Sequence, residues 1–185
     1  MNVPARRARW TVAGAAAAIV AALGVTTAAS ASMSAHSAAS AIPQCRASQL
    51  GVWLASARGS GTAGSIYYPL EFTNLSTSTC YMYGYPGVSA INAAGTQLGA
   101  AAGRDSSVKP SVVNIGPGAT AHSVLQYVTV QVTSGCKPQP GYELKVYPPD
   151  QEYSTVGAYD FPSCTTSAPV YLNVQVLQRG TGTGA

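Results

Sequence analysis

The sequence predicts an all-β fold: an antiparallel β-sandwich of Ig-like type, closed by two disulfides. Three observations carry that reading. Apolar residues recur at every second position in four separate runs. Gly and Pro clusters separate the runs, as the turns of a sandwich require. The four cysteines, Cys45, Cys80, Cys136 and Cys164, all lie beyond the N-terminal segment, an even set that can pair completely.

The leader comes first. Arg6, Arg7 and Arg9 form a basic region, residues 10–25 are apolar and Ala-rich, and Ala29-Ser30-Ala31 supplies the small-x-small pattern that signal peptidase reads. The apolar stretch is shorter than the roughly 20 strongly apolar residues of a membrane anchor. Residues 1–31 are therefore expected to leave as a signal peptide, through the general or the twin-Arg route, giving a secreted, extracellular product with no stable membrane anchor. Residues 32–44 are rich in Ser and Ala without apolar periodicity and read as a flexible lead-in. The folded domain is expected over residues 45–179, with a disordered tail over 180–185.

Within the domain the first run alternates Ile66, Tyr68, Leu70 and Phe72 with Tyr67, Pro69, Glu71 and Thr73. It should bury the first set and turn the second outward. Pro69, which has no N–H to give a neighbour, places this strand at an edge or a bulge. Val128, Val130 and Val132 alternate with Thr129 and Gln131; Tyr142, Leu144 and Val146 with Glu143 and Lys145; Leu172, Val174 and Val176 with Tyr171, Asn173 and Gln175. Turns are expected at residues 59–64, 85–87, 94–95, 116–118, 139–141 and 148–150. Cys45 precedes the first strand and Cys80 follows the second, so a hairpin brings them together. Cys136 and Cys164 bracket the strand around Leu144. The expected bridges are Cys45–Cys80 and Cys136–Cys164, each contributing about 3–4 kcal/mol on a chain-entropy account.

Charge excludes some partners. The formal charge is +4, but three of the ten Lys/Arg are Arg6, Arg7 and Arg9. Without them seven basic residues face six acidic ones. A near-neutral domain lacks the clustered Lys/Arg that nucleic acid or an anionic membrane demands.

Catalytic constellations are equally thin. His36 lies in the lead-in and His122 near the start of a predicted strand, too far apart to pair on a metal. No cofactor and no metal are expected. Gly87-Val88-Ser89-Ala90-Ile91 lacks the second glycine of a nucleophile elbow. Residues 59–64, Gly-Ser-Gly-Thr-Ala-Gly, lack the Gly-Lys-Ser/Thr ending of a phosphate loop and read as a hairpin loop. Asn74-Leu75-Ser76 is a chance glycosylation sequon. Of the six carboxylates, Glu71, Asp105, Glu143, Asp150, Glu152 and Asp160, only Asp150 and Glu152 stand close in sequence, in a solvated turn after Pro148-Pro149.

Tyrosine is the feature above background. Tyr81, Tyr83 and Tyr85 occupy alternate positions, so one strand would present all three on one face. Such rings either pack in the sandwich or form an amphipathic surface for a glycan or a protein.

Cys80 and the run Tyr-Met-Tyr-Gly-Tyr-Pro-Gly-Val-Ser at residues 81–89 resemble an actinobacterial family of exported proteins, the domain of unknown function 4232 family. So do Gly-Thr-Gln-Leu-Gly at 95–99, Gly-Pro-Gly-Ala-Thr-Ala at 116–121 and Leu-Lys-Val-Tyr-Pro-Pro at 144–149, with Cys136 and Cys164 around the last. The resemblance covers the whole expected domain. It implies export and a β-sandwich, and brings no catalytic residues. Many members resemble lipoproteins; this chain lacks the lipid-accepting cysteine.

The function expected is that of a non-catalytic, monomeric binding module for cell-wall glycan or another exported protein, with Tyr81, Tyr83 and Tyr85 as binding residues. Two alternatives are a hydrolase built on Asp150, Glu152 or His122, and a protease inhibitor presenting residues 148–162. N-terminal sequencing of the secreted product should begin near Ser32; a sequence beginning at Met1 would contradict the leader assignment.

Overall fold

The computed structural model describes residues 41–56, 64–158, 160–165 and 170–182. Residues 1–40, which include the expected signal peptide and most of the expected lead-in, lie outside that set, as do residues 57–63, which include most of the turn expected at 59–64, and residues 183–185 of the expected tail. After a 3-10 turn at Ala47–Gln49 the strands are β1 (Leu50–Leu54), β2 (Ser65–Asn74), β3 (Cys80–Tyr83), β4 (Gly87–Ile91), β5 (Gln97–Leu98), β6 (Gly103–Arg104) and β7 (Val112–Ile115). They continue with β8 (Thr120–Val128), β9 (Pro138–Pro140), β10 (Glu143–Tyr147), β11 (Thr155–Ala158), β12 (Pro162–Cys164), β13 (Leu172–Val174) and β14 (Gln178–Arg179).

The main sheet runs β1-β2-β8-β13-β6, with β14 also paired to β8; a second sheet runs β11-β10-β4-β5. Two ribbons, β3–β7 and β9–β12, complete the described strands. Every strand pair is antiparallel except β13 with β6. The inward sides of the two larger sheets meet in one core. Leu70, Phe72, Leu125, Leu172 and Val174 come from the main sheet, and Val88, Ala90, Leu144 and Val146 from the second. The fold is thus an all-β sandwich. Both expected disulfides are present, Cys45–Cys80 with its Cα atoms 4.9 Å apart and Cys136–Cys164 at 5.1 Å.

Several local expectations change, among them that Tyr142, expected inward, is exposed. β2 lies between β1 and β8, so Pro69 is not in an edge strand. In an antiparallel strand a residue's N and O point to one side. The Pro69 carbonyl accepts from Ala55 N at 2.8 Å, one residue past the end of β1. The missing N–H therefore faces a place where the neighbouring strand has stopped. The valine run begins as strand but ends there: β8 stops at Val128, and residues 129–136 coil in successive turns that bury Val130 and expose Val132. Residues 139–140 belong to β9 rather than to a turn. Tyr171, assigned outward by alternation, is 0 % exposed.

Tyr171 belongs to an aromatic layer. Its ring meets Tyr127 edge-on at 6.3 Å, and Phe161 lies 5.4 Å from Tyr127 and 4.6 Å from Tyr68. The Tyr171 hydroxyl donates to Leu98 O at 2.9 Å and that of Tyr127 to Pro162 O at 2.9 Å. Burial pushes the hydroxyl pKa values of Tyr68, Tyr127 and Tyr171 above the ordinary tyrosine range, which favours their neutral form. Asn74, the sequon residue, is fully buried, and its Nδ2 donates to Ser78 O at 2.8 Å and Ile115 O at 3.0 Å. That amide is a clamp between β2 and β7 with no room for a glycan.

Gly99 has φ +75°, and a Cβ there would stand 2.5 Å from Tyr171 Cε1. Gly99→Ala should therefore cost about 2 kcal/mol or more, a fall in melting temperature of roughly 4–8 °C. A melt unchanged from wild type would show that Tyr171 does not seat against this backbone.

Candidate functional site

The tyrosine segment starts at a staple. Cys80, the first residue of β3, is bonded to Cys45, and the chain at and just before Cys45 is tied to β3 by two backbone bonds: Cys45 N to Tyr81 O and Tyr81 N to Pro43 O, both 2.9 Å. The last residues of the expected lead-in are thus ordered against the strand. Met82 turns inward at 1 % exposure, which sends Tyr81 and Tyr83 outward. Tyr83 is 45 % exposed and Tyr81 is half-buried.

Gly84 breaks the alternation. It has φ +101°, open space at its Cβ position, and a carbonyl that accepts from Leu177 N at 3.0 Å. β3 ends before it, and Tyr85 folds back against the core instead of continuing the stripe. The guanidinium of Arg104 lies 5.6 Å from the centre of the Tyr85 ring, within cation–π range. β6 delivers Arg104 by pairing with β13, where Gly103 lets the backbone pass close to Asn173 Oδ1. The neighbouring Asp105 is not free to pair with it. Its Oδ1 accepts from Ser107 N at 3.0 Å and its Oδ2 from Gln175 Nε2 at 3.0 Å. Those bonds, led by Ser107, hold its pKa below the ordinary aspartate range.

Tyr83, Gly84, Tyr85, Arg104, Pro110 and Asp150 line one cavity of about 250 Å³. Asp150 has φ +56°, and no other non-glycine residue among those described has a positive φ. Gln44 Nε2 donates to Pro149 O at 3.1 Å, so the chain beside Cys45 also braces the turn that carries Asp150. Among the described residues neither Arg104 nor Asp150 has an ion pair. The cavity therefore offers aromatic faces, a guanidinium and a carboxylate together.

The structure brings Tyr83 and Tyr85 to this cavity together with Asp150, a residue singled out for other reasons. Tyr81 is not among its lining residues. Glu152 is exposed on the same loop, while His122 sits in β8 with its Nδ1 2.9 Å from Gly180 O. Residues 148–162 are not one free loop, because β11 interrupts them. A larger cavity of about 570 Å³, lined by Arg46, Ala47, Ser48, Gln151, Tyr153 and Ser154, flanks the same loop. Sequence reasoning missed Arg104 and Pro110. Neither sits in a motif, and only the β6–β13 pairing reveals where Arg104 goes.

Among the described residues no cluster of three or more His, Cys, Asp or Glu could hold a metal ion, and no helix is long and apolar enough to cross a membrane. The fold and the cavity define a disulfide-pinned β-sandwich with an aromatic, mixed-charge pocket at one ribbon. Residues 45–180 match the family described as domain of unknown function (DUF4232), and the chain belongs to that family. No curated protein and no solved structure matches it.

Proposed function

We propose that this chain is an exported, non-catalytic binding module that holds one residue of a cell-wall glycan in the Tyr83–Tyr85–Arg104–Asp150 cavity. The observation that carries the reading is the seating of Arg104 over Tyr85 in the same cavity as the exposed ring of Tyr83. A pocket of about 250 Å³ is smaller than those that enclose drug-sized ligands. It suits a single ring of a chain whose remainder lies outside. The second cavity supports a chain-like ligand: Asp150 lines one and Gln151, the next residue, lines the other. Tyrosine faces stack on the apolar side of a sugar, and Arg104 and Asp150 give its hydroxyls a donor and an acceptor. The two disulfides and the leader at residues 1–31 support export.

A second reading, another exported protein as partner, is favoured by the exposure of Val112, which pairs with Tyr83 across the ribbon. One experiment separates the two. Tyr83→Ser should leave the melting temperature within a few degrees, since the ring is 45 % exposed. It should weaken binding of soluble cell-wall oligosaccharides by roughly thirtyfold, the effect of losing an aromatic anchor worth about 2 kcal/mol. Loss of a co-purifying exported protein without any oligosaccharide binding would favour the second reading. Unchanged binding of both would remove the cavity from the account.

A further inference from the structure

The outer face of the main sheet holds a second arrangement, on different strands from the tyrosine cavity. Trp53 of β1, Glu71 of β2 and His122 of β8 are register partners, so they stand in one row. Paired side chains on one face lie about 5 Å apart. Trp53 is 43 % exposed, as this face should be, yet Glu71 is 1 % exposed. A carboxylate on the solvent side of a sheet has been sealed over.

The seal is the chain beyond β14. Gly180, at φ +77°, turns the chain, gives its N–H to Thr120 O at 3.0 Å and accepts at its carbonyl from His122 Nδ1 at 2.9 Å. Gly182 N then donates to Glu71 Oε1 at 2.7 Å. The second oxygen, Oε2, is buried and has no hydrogen-bond partner among the described residues. A Cβ on Gly182 would stand 2.5 Å from Pro69 Cβ and 2.9 Å from His122 Cδ2, so only glycine fits there. The strap covers the carboxylate but fills only half of it. A buried acceptor without a donor is costly, and more so when it carries charge.

We propose that Glu71 is the floor of a guanidinium site, closed by residues 180–182, and that an arginine side chain of a partner polypeptide displaces this strap. A guanidinium has a planar fork of N–H donors that matches both carboxylate oxygens at once, the one Gly182 now uses and the one left empty. Its flat face stacks on indole, and Trp53 is the exposed neighbour of Glu71 in the row. An ammonium offers the charge without the fork. The strap is the resident occupant: its single N–H is a weaker version of the ligand's two.

The test uses the full chain and arginine amide, with lysine amide as the comparison, in isothermal titrations. Gly182→Val cannot seat the strap, and it should bind arginine amide at least tenfold more tightly than wild type. It should prefer arginine amide to lysine amide. Glu71→Gln in the same background should abolish binding. Trp53→Ala, at an exposed position, should weaken it several-fold without lowering the melting temperature. A folded Gly182→Val protein with no gain in affinity would overturn the proposal, as would binding that survives Glu71→Gln or equal binding of the two amides. If Gly182→Val fails to fold, the wild-type chain decides. Saturating arginine amide should move the Gly182 amide and His122 ring resonances, and resonances that stay in place would overturn the closed-site reading.

Discussion

The pairing of β2 with β8 is the constraint on which the rest of the structure depends. Nine consecutive residues of β2, from Ser65 to Thr73, are matched to β8 from Val128 to Thr120. Because successive side chains alternate, this one register decides both faces at once. Inward it sets Leu70, Phe72, Leu125 and Tyr127 into the core. Outward it sets Glu71 beside His122 and Tyr67 beside Gln126, where Gln126 Nε2 donates to Tyr67 Oη at 3.2 Å. A slip by one residue would send Phe72 to solvent and Glu71 into the core. The energetic penalty of either makes the register effectively unique.

The remaining elements are fastened to that ladder by a few specific ties. Asn74, at the end of β2, bonds Ile115 of β7, and β7 in turn carries β3. The Cys45–Cys80 bridge then fixes the start of β3, and Gly84 ends it. These ties place Tyr83 and Tyr85 without any helix or long loop. At the other end the Cys136–Cys164 bridge holds the β9–β12 ribbon, and with it Phe161, against Tyr68 and Tyr127. Tyrosine thus does two jobs in one chain. Tyr68, Tyr127 and Tyr171 fill the sandwich, whereas Tyr83 and Tyr85 face a cavity.

The sequence made some of this legible and hid the rest for physical reasons. Period-two alternation located β2, β10 and β13, since burial on one face leaves that trace in composition. The cysteine order yielded both bridges because each pair flanks strands that fold back on one another. Alternation failed at Glu71, Tyr171 and Tyr85. Glu71 is covered by a segment far along the chain, Tyr171 reaches its partner Leu98 O across the core, and Tyr85 follows a positive-φ glycine that resets the direction of the chain. In each instance the deciding contact is long-range or depends on one backbone angle, and neither leaves a local pattern. Arg104 was invisible for the same reason: its position comes from a two-residue strand paired in parallel with β13.

The role proposed for this sandwich is to present the Tyr83–Tyr85–Arg104–Asp150 cavity to a ligand. Amide chemical-shift mapping of the isotope-labelled protein, titrated with soluble cell-wall oligosaccharides, tests it most directly. The account predicts saturable shifts at Tyr83, Gly84, Tyr85, Arg104 and Asp150, fading along the loop toward Gln151 and Tyr153. Shifts confined to another surface, or none at saturating oligosaccharide, would contradict it.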